Sequence, residues 1–274
     1  MSRYRINWPL WANLKTRPQN VIAVIELTVA LLLTVIIVNW SRIASFIQPA
    51  RTHQAGTSTL SHIPPAPAQE SVDCVAVKCL ALTFDDGPNP LTTPRIVHEL
   101  ERAHVKATFF MVGSRVKGNG PLLRRMHTDG DEIENHSWSH PDFTDLSAQQ
   151  IQHQIALTQQ AIVRTGVPAP TMFRPPYGAV NHRVLQNVPL TILLWNEDPE
   201  DWKATSARAV IAAVEGSARA GGIVDMHDIY AVTAHAVPHI IKDLSARGFH
   251  FVTVSQLLYL HAQSRGTYYG RYAP

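Results

Sequence analysis

Leu80-Ala81-Leu82-Thr83-Phe84-Asp85-Asp86-Gly87-Pro88 is a short apolar run of strand length that stops at two carboxylates and a turn. Such a run suits a strand buried on both faces, as in a parallel sheet. Adjacent carboxylates at the mouth of a buried strand repel each other and cost desolvation, so something positive has to compensate them. The plainer use of the pair is an acidic, capping turn before Pro88.

The same grammar repeats along the chain. Strand-like runs are expected at 107–111, 132–135, 171–173, 190–195, 222–226 and 249–253. Helical spacing is expected over Pro94–Arg102, Leu122–His127, Ser147–Arg164, from about Val180, over Ser206–Ala220, over His235–Arg247, and in a terminal helix. Repeated β-then-α units predict a parallel α/β domain, either an open sheet or a barrel. Asp85-Asp86, His136, Arg174, the stretch Asp198–Trp202 and His227 each follow the end of an expected strand. In α/β domains those ends gather on one face, where sites are built.

His136-Ser137-Trp138-Ser139-His140 places two imidazoles four residues apart. On one helical turn they point to the same side and can share a cation. One Asp and two His form a metal set with open positions, and the second Asp is left to take a proton from water. Two surface histidines are the bland alternative, and the Asp pair weighs against it.

Upstream, Val21–Val38 is almost unbroken apolar sequence, interrupted by Glu26. Its length suits a bilayer span of roughly 20 helical residues. Arg3, Arg5, Lys15 and Arg17 precede it, and Trp40 stands where an interfacial aromatic belongs. The expectation is a basic cytoplasmic segment (1–20), a transmembrane signal anchor (21–40), a Pro/Ser/Thr/Ala-rich linker (41–71), a folded domain (72–262) and a tail (263–274). The domain then lies outside the cytoplasm on a single-pass cell-membrane protein, with a cleaved, secreted form as the alternative. The tail Arg265–Pro274 is expected to be disordered. Cys74 and Cys79 are the only cysteines. Free thiols are the default in a cytosolic chain. In an exported domain a small disulfide is expected, and the spacing suits no zinc site. The formal net charge of +3 is carried largely by the chain ends. No basic stripe interleaved with aromatics exists, so nucleic acid is not an expected partner.

In combination these residues resemble the NodB-like polysaccharide deacetylases, carbohydrate esterase family 4. Thr83–Pro88 resembles the first motif and His136-Ser137-x-x-His140 the second. Arg174-Pro175-Pro176-Tyr177 is similar to the third, Asp198-Pro199-Glu200-Asp201-Trp202 to the fourth, and Asp225-Met226-His227 stands at the fifth. The match runs from about Cys79 to Leu258, and the preceding cysteine pair also looks like exported bacterial members. The resemblance implies a distorted (β/α) barrel and a divalent metal, zinc first, cobalt or another ion otherwise, on Asp86, His136 and His140. It implies Asp85 as general base, oriented by Arg174, and His227 as general acid, oriented by Asp201. The backbone N–H of Tyr177 would serve the oxyanion, and Trp202 would line the acyl pocket.

The implied activity is N-deacetylation of a cell-wall glycan, peptidoglycan first, with membrane contact through the anchor. Chitin oligomers or O-acetyl xylan, a non-catalytic wall-binding protein, and amide hydrolysis on a small molecule are the alternatives. One departure stands out: Asp225 occupies the usual Leu of the fifth motif, where a carboxylate should weaken methyl packing. It is expected to alter acyl preference, to tune His227, or to lie near the metal.

Overall fold

The computed structural model describes residues 72–259 and 266–270. The basic segment, the anchor and the linker lie outside the described residues. Among the described residues no helix is long and apolar enough to cross a membrane.

The strands are β1 (Lys78–Asp85), β2 (Thr108–Met111), β3 (Glu132–Asn135), β4 (Met172–Phe173), β5 (Thr191–Leu193), β6 (Gly222–His227), β7 (Phe249–Phe251) and β8 (Thr267–Tyr268). They form one sheet in the order β6-β1-β2-β3-β4-β5-β8, and β7 pairs with the first residues of β1. Every pairing is parallel. Beyond β5 the chain returns to β6: Glu197 bridges Val224, and the Asp225 N–H donates to the Glu197 carbonyl at 2.9 Å. The sheet is therefore curled, with an inside and an outside.

The helices between strands are α1 (Thr93–Ala103), α2 (Gly120–Asp129), α3 (Ala148–Val163), α4 (His182–Asn187), α5 (Ala207–Ser217), α6 (Ala231–Ala246) and α7 (Val254–Leu258). Strand alternation sorts the core. Leu80, Leu82 and Phe84 of β1 point outward into the main cluster with Ile96, Leu100, Val210 and Ile240 of the covering helices. Cys79 and Ala81 point inward, where they meet Phe110, Leu193 and Ile223 from the other strands. The next residues on that inner face, Thr83 and Asp85, are polar, because successive inward positions climb toward the open end. Val254 and Leu257 of α7 join the same inner cluster, and the Val254 N–H donates to Thr108 Oγ1 at 3.0 Å, closing the interior from below.

Helix α3 starts as expected. Ser147 Oγ accepts from the Gln150 N–H, and the Gln150 side chain accepts from the Ser147 N–H, a reciprocal capping box. Ser147→Ala is expected to cost about 1 kcal/mol, read as a lower urea midpoint with an unchanged slope. An unchanged midpoint would show that the cap contributes nothing.

Part of the tail behaves differently from expectation. Thr267 and Tyr268 pair with Ile192 and Leu193, so the domain extends past residue 262. Two backbone bonds hold it, from the Ile192 N–H to the Gly266 carbonyl at 2.9 Å and from the Leu194 N–H to the Tyr268 carbonyl at 2.8 Å. Pairing with an otherwise open edge outweighs the cost of ordering, which the polar composition of the segment does not reveal. Cys74 and Cys79 are joined in a disulfide, with Cα atoms 5.3 Å apart.

Candidate active site

Asp85 ends β1, His136 follows β3, Arg174 follows β4, and His227 ends β6. All therefore sit at the C-terminal edge of the sheet. Register explains the pairing across that edge: Asp85 lies beside His227, and Thr83 lies beside Asp225 one inward step below.

The first cluster consists of Asp86, His136 and His140, whose ligand atoms all lie within 4.8 Å of one another. His136 Nδ1 lies 2.8 Å from the Arg174 carbonyl, so this nitrogen carries the proton and donates. Its Nε2 is left facing Asp85 and Asp86, at 3.6 and 3.7 Å from their carboxylate oxygens. His140 Nε2 lies 3.2 Å from Asp86 Oδ1. Burial pushes His136 down to about 3 and lowers His140 as well, so both imidazoles are neutral, the ligating form. One oxygen and two nitrogen donors within 4.8 Å of one another fit a divalent metal.

The expected helical turn at 136–140 is not there. His136–His140 is a loop in which Ser137 and His140 have φ of 70° and 60°. The Ser137 N–H donates to Asn135 Oδ1 at 2.9 Å, and Gln154 Oε1 of α3 accepts from the N–H groups of Trp138 and Ser139. Side chains thus replace helical bonds, and the two histidines meet by loop curvature instead of helical period. Asp86 (φ 74°) and Tyr177 (φ 60°) are also left-handed. Non-glycine residues held this way cost on the order of 1–3 kcal/mol each and concentrate at functional sites.

The second cluster hangs on Arg174, which is fully buried. Its Nη1 donates to Asp85 Oδ1 at 2.8 Å, Asp225 Oδ1 at 2.7 Å and Thr83 Oγ1 at 2.8 Å. Its guanidinium carbon stands 4.3 Å from the Phe110 ring centre, within cation–π range. Burial raises the Asp85 pKa to about 6, with the charges of Arg174 and His227 opposing and that of Asp86 assisting. Burial also drives Asp225 well above the carboxylate range, and the Asp85 charge adds to it.

Beside Asp85, at the end of β6, stands His227. Its Nδ1 lies 2.7 Å from Asp201 Oδ1, while Asp201 Oδ2 accepts from the His227 N–H at 2.8 Å and from Thr233 Oγ1 at 2.5 Å. Burial opposes charge on this imidazole. The hydrogen bond and charge of Asp201, with the charges of Asp225 and Asp85, outweigh it and raise the pKa to about 10. His227 is thereby held as a cation.

One cavity of about 500 Å³ joins the clusters, with Tyr177, Trp195 and Trp202 among its walls. Tyr177 is 70% and Trp202 51% exposed, so the rim is open and aromatic and the cavity is not a sealed chamber. Asp225 faces this cavity and binds Arg174; no hydrogen bond joins it to His227.

The polysaccharide deacetylase family model matches residues 73–190. The peptidoglycan-N-acetylglucosamine deacetylase of Bacillus cereus is 35% identical over 189 residues, covering 66% of this chain and 88% of that protein. The chain belongs to the polysaccharide deacetylase family. The peptidoglycan-N-acetylmuramic acid deacetylase PdaC of Bacillus subtilis is 44% identical over 191 residues, which cover 70% of this chain and 41% of that protein. Its solved structure matches with a TM-score of 0.66, covering 69% of this chain and 93% of that one. A family 4 acetyl xylan esterase from Clostridium thermocellum, solved with a cobalt ion, matches with a TM-score of 0.64 at 37% identity, over 66% of this chain and 91% of that one. The chain spans about two fifths of the length of the first curated relatives it matches.

Within this family member, several neighbours of the site escaped the sequence reading. Asp228 is buried under the Asp85–Pro88 loop, accepting from Thr93 Oγ1 at 2.6 Å. A Cβ on Gly87 would stand 2.0 Å from Asp228 Oδ2, which explains the glycine. Arg115 donates from Nη1 to the Asp86 carbonyl at 2.5 Å, and the Tyr230 ring meets His227 edge-on at 5.7 Å between ring centres. Asp228 was legible as an acid directly after a strand end. Arg115 and Tyr230 carried no signal, because their roles arise only from loop placement.

Proposed function

We propose that this domain is a metal-dependent hydrolase that removes N-acetyl groups from N-acetylhexosamine residues of a cell-wall polysaccharide, peptidoglycan first. One observation carries the reading. A carboxylate tied to a buried arginine, Asp85, and an imidazolium tied to a buried carboxylate, His227, stand side by side at the ends of β1 and β6 and line one open cavity beside a three-residue metal cluster. Two titratable groups whose surroundings push their pKa values apart in this way divide into base and acid.

Asp86, His136 and His140 would hold the cation. Zinc is the first choice for this donor set, and cobalt or another divalent ion is the alternative. A divalent cation held there supplies Lewis-acid polarisation of the acyl carbonyl and a water of lowered pKa. Asp85, oriented by Arg174, takes a proton from the attacking water. The Tyr177 backbone N–H would serve the developing oxyanion. His227 gives its proton to the departing amine, and Asp201 holds the imidazole in position and tautomer. Trp202 and Trp195 wall the cavity. The amide and one water yield a free amine and acetate. A distorted (β/α) barrel is the architecture proposed for the curled sheet. The apolar run at 21–40 and the basic residues before it support a membrane-anchored, extracytoplasmic placement.

Acetate release from peptidoglycan, chitin oligomers and acetylated xylan tests the proposal. The expected result is release that a chelator abolishes and that added zinc or cobalt restores. No release from any acetylated glycan with any divalent metal would sink it.

A further inference from the structure

The inner face of β1 and β6 is layered by register. Asp85 and His227 form the upper layer, Thr83 and Asp225 the layer below, and Ala81 and Ile223 an apolar layer below that. Each layer is about 6.6 Å deeper than the last. Acid and base occupy the upper layer, so the scissile amide belongs there. A sugar polymer stays at the open rim. The one part of the substrate able to reach deeper is the acyl substituent, and what it meets is Asp225.

Asp225 is 4% exposed and commits Oδ1 to Arg174. Arg174 Nη1 carries two hydrogens for three acceptors, Asp85, Asp225 and Thr83, so it cannot fully satisfy all of them, and among the described residues no hydrogen bond reaches Asp225 Oδ2, which leaves that oxygen for a ligand. A methyl group laid on this carboxyl would desolvate it and return nothing. A hydroxyl at the same place would donate to it, and a carboxyl oxygen accepts in either protonation state.

We propose that Asp225 is a specificity-determining residue that selects 2-hydroxyacyl amides, of which N-glycolyl is the simplest, over N-acetyl amides. The inference rests on the hydrolase reading above. The reaction is unchanged: the C–N bond breaks, water adds across it, and the products are glycolate and the protonated amine. A site built to bond a substrate hydroxyl rejects the analogue lacking it more strongly than an apolar pocket rejects an added hydroxyl.

The test uses the full chain loaded with zinc and N-glycolylated and N-acetylated glucosamine oligomers of equal length, with glycolate and acetate both measured. The wild type is expected to favour the glycolyl substrate by about 10-fold or more in kcat/KM. Asp225→Leu is expected to reverse that preference, and Asp225→Asn, which keeps an acceptor, to retain most of it. Product inhibition of the wild type needs no variant to fold, and glycolate should inhibit more strongly than acetate. A wild-type preference for acetyl, an equal ratio in wild type and Asp225→Leu, or stronger inhibition by acetate would overturn the inference alone. Release of neither acid would remove the hydrolase reading and this inference with it.

Discussion

Asp85→Asn is expected to lower kcat by about 100- to 10,000-fold while the purified protein keeps its full metal stoichiometry. The two carboxylates of the pair hold different positions. Asp86 shares its oxygen neighbourhood with both histidines, whereas Asp85 is bonded to Arg174 and faces the cavity. The substituted amide is nearly isosteric and still accepts from Arg174, so the fold should survive, but it cannot take a proton from water. The acidic limb gives a second readout. With a pKa raised by burial to about 6, Asp85 is protonated below that value and charged above it, so activity rises with pH through a limb at or below about 6. A cation beside it moves that limb lower. The measurement is metal content with single-turnover acetate release. Loss of metal in parallel with activity would make Asp85 a ligand and remove it as the base.

Asp201→Asn should be nearly as damaging, and its signature is different. Asp201 alone supplies two acceptor oxygens to the His227 N–H, His227 Nδ1 and Thr233, all from within the core. The wild-type kcat/KM profile should fall on the alkaline side where His227 loses its proton, at or below about pH 10, a bound cation lowering that limb as it lowers the acidic one. Removing the charge of Asp201 leaves burial opposing the imidazolium, and the alkaline limb should move down toward the ordinary histidine value of about 6.5. At pH 8 a histidine at that value is protonated in roughly one molecule in 30. The sign is thus a greater loss at alkaline than at acidic pH. Thr233→Val, which removes a hydrogen bond to Asp201 and leaves the charge, should keep the limb near its original position. An alkaline limb that stays put in Asp201→Asn would show that some other group gives up the proton.

Both predictions rest on residues that the sequence already marked, and the way they were marked matters. The parallel α/β class was legible because β1 is a central strand: Leu80–Phe84 has no solvent face, so it carries no polar alternation. Convergence of Asp85, His136, Arg174 and His227 was legible because each terminates a strand, and parallel strands end together. The Ser147 helix start and the Cys74–Cys79 pair were legible because they are local.

Period and position along the chain therefore fix strand, helix, cap and disulfide, and they fix which edge of the sheet bears the chemistry. Direction and depth come from packing. Packing turned the expected helix at His136–His140 into a loop, since Gln154 from another element supplies the hydrogen bonds that a helix would have made internally. It drew Thr267–Tyr268 into the sheet, because an open edge beside β5 favours pairing whatever the composition of the tail. Above all it placed Asp225 one register step beneath the acid and base, against Arg174. One-dimensional spacing puts Asp225 two residues from His227. Only the packing of β1 against β6, and the reach of one buried guanidinium, place it beneath Asp85 and His227 at the inner wall of the cavity.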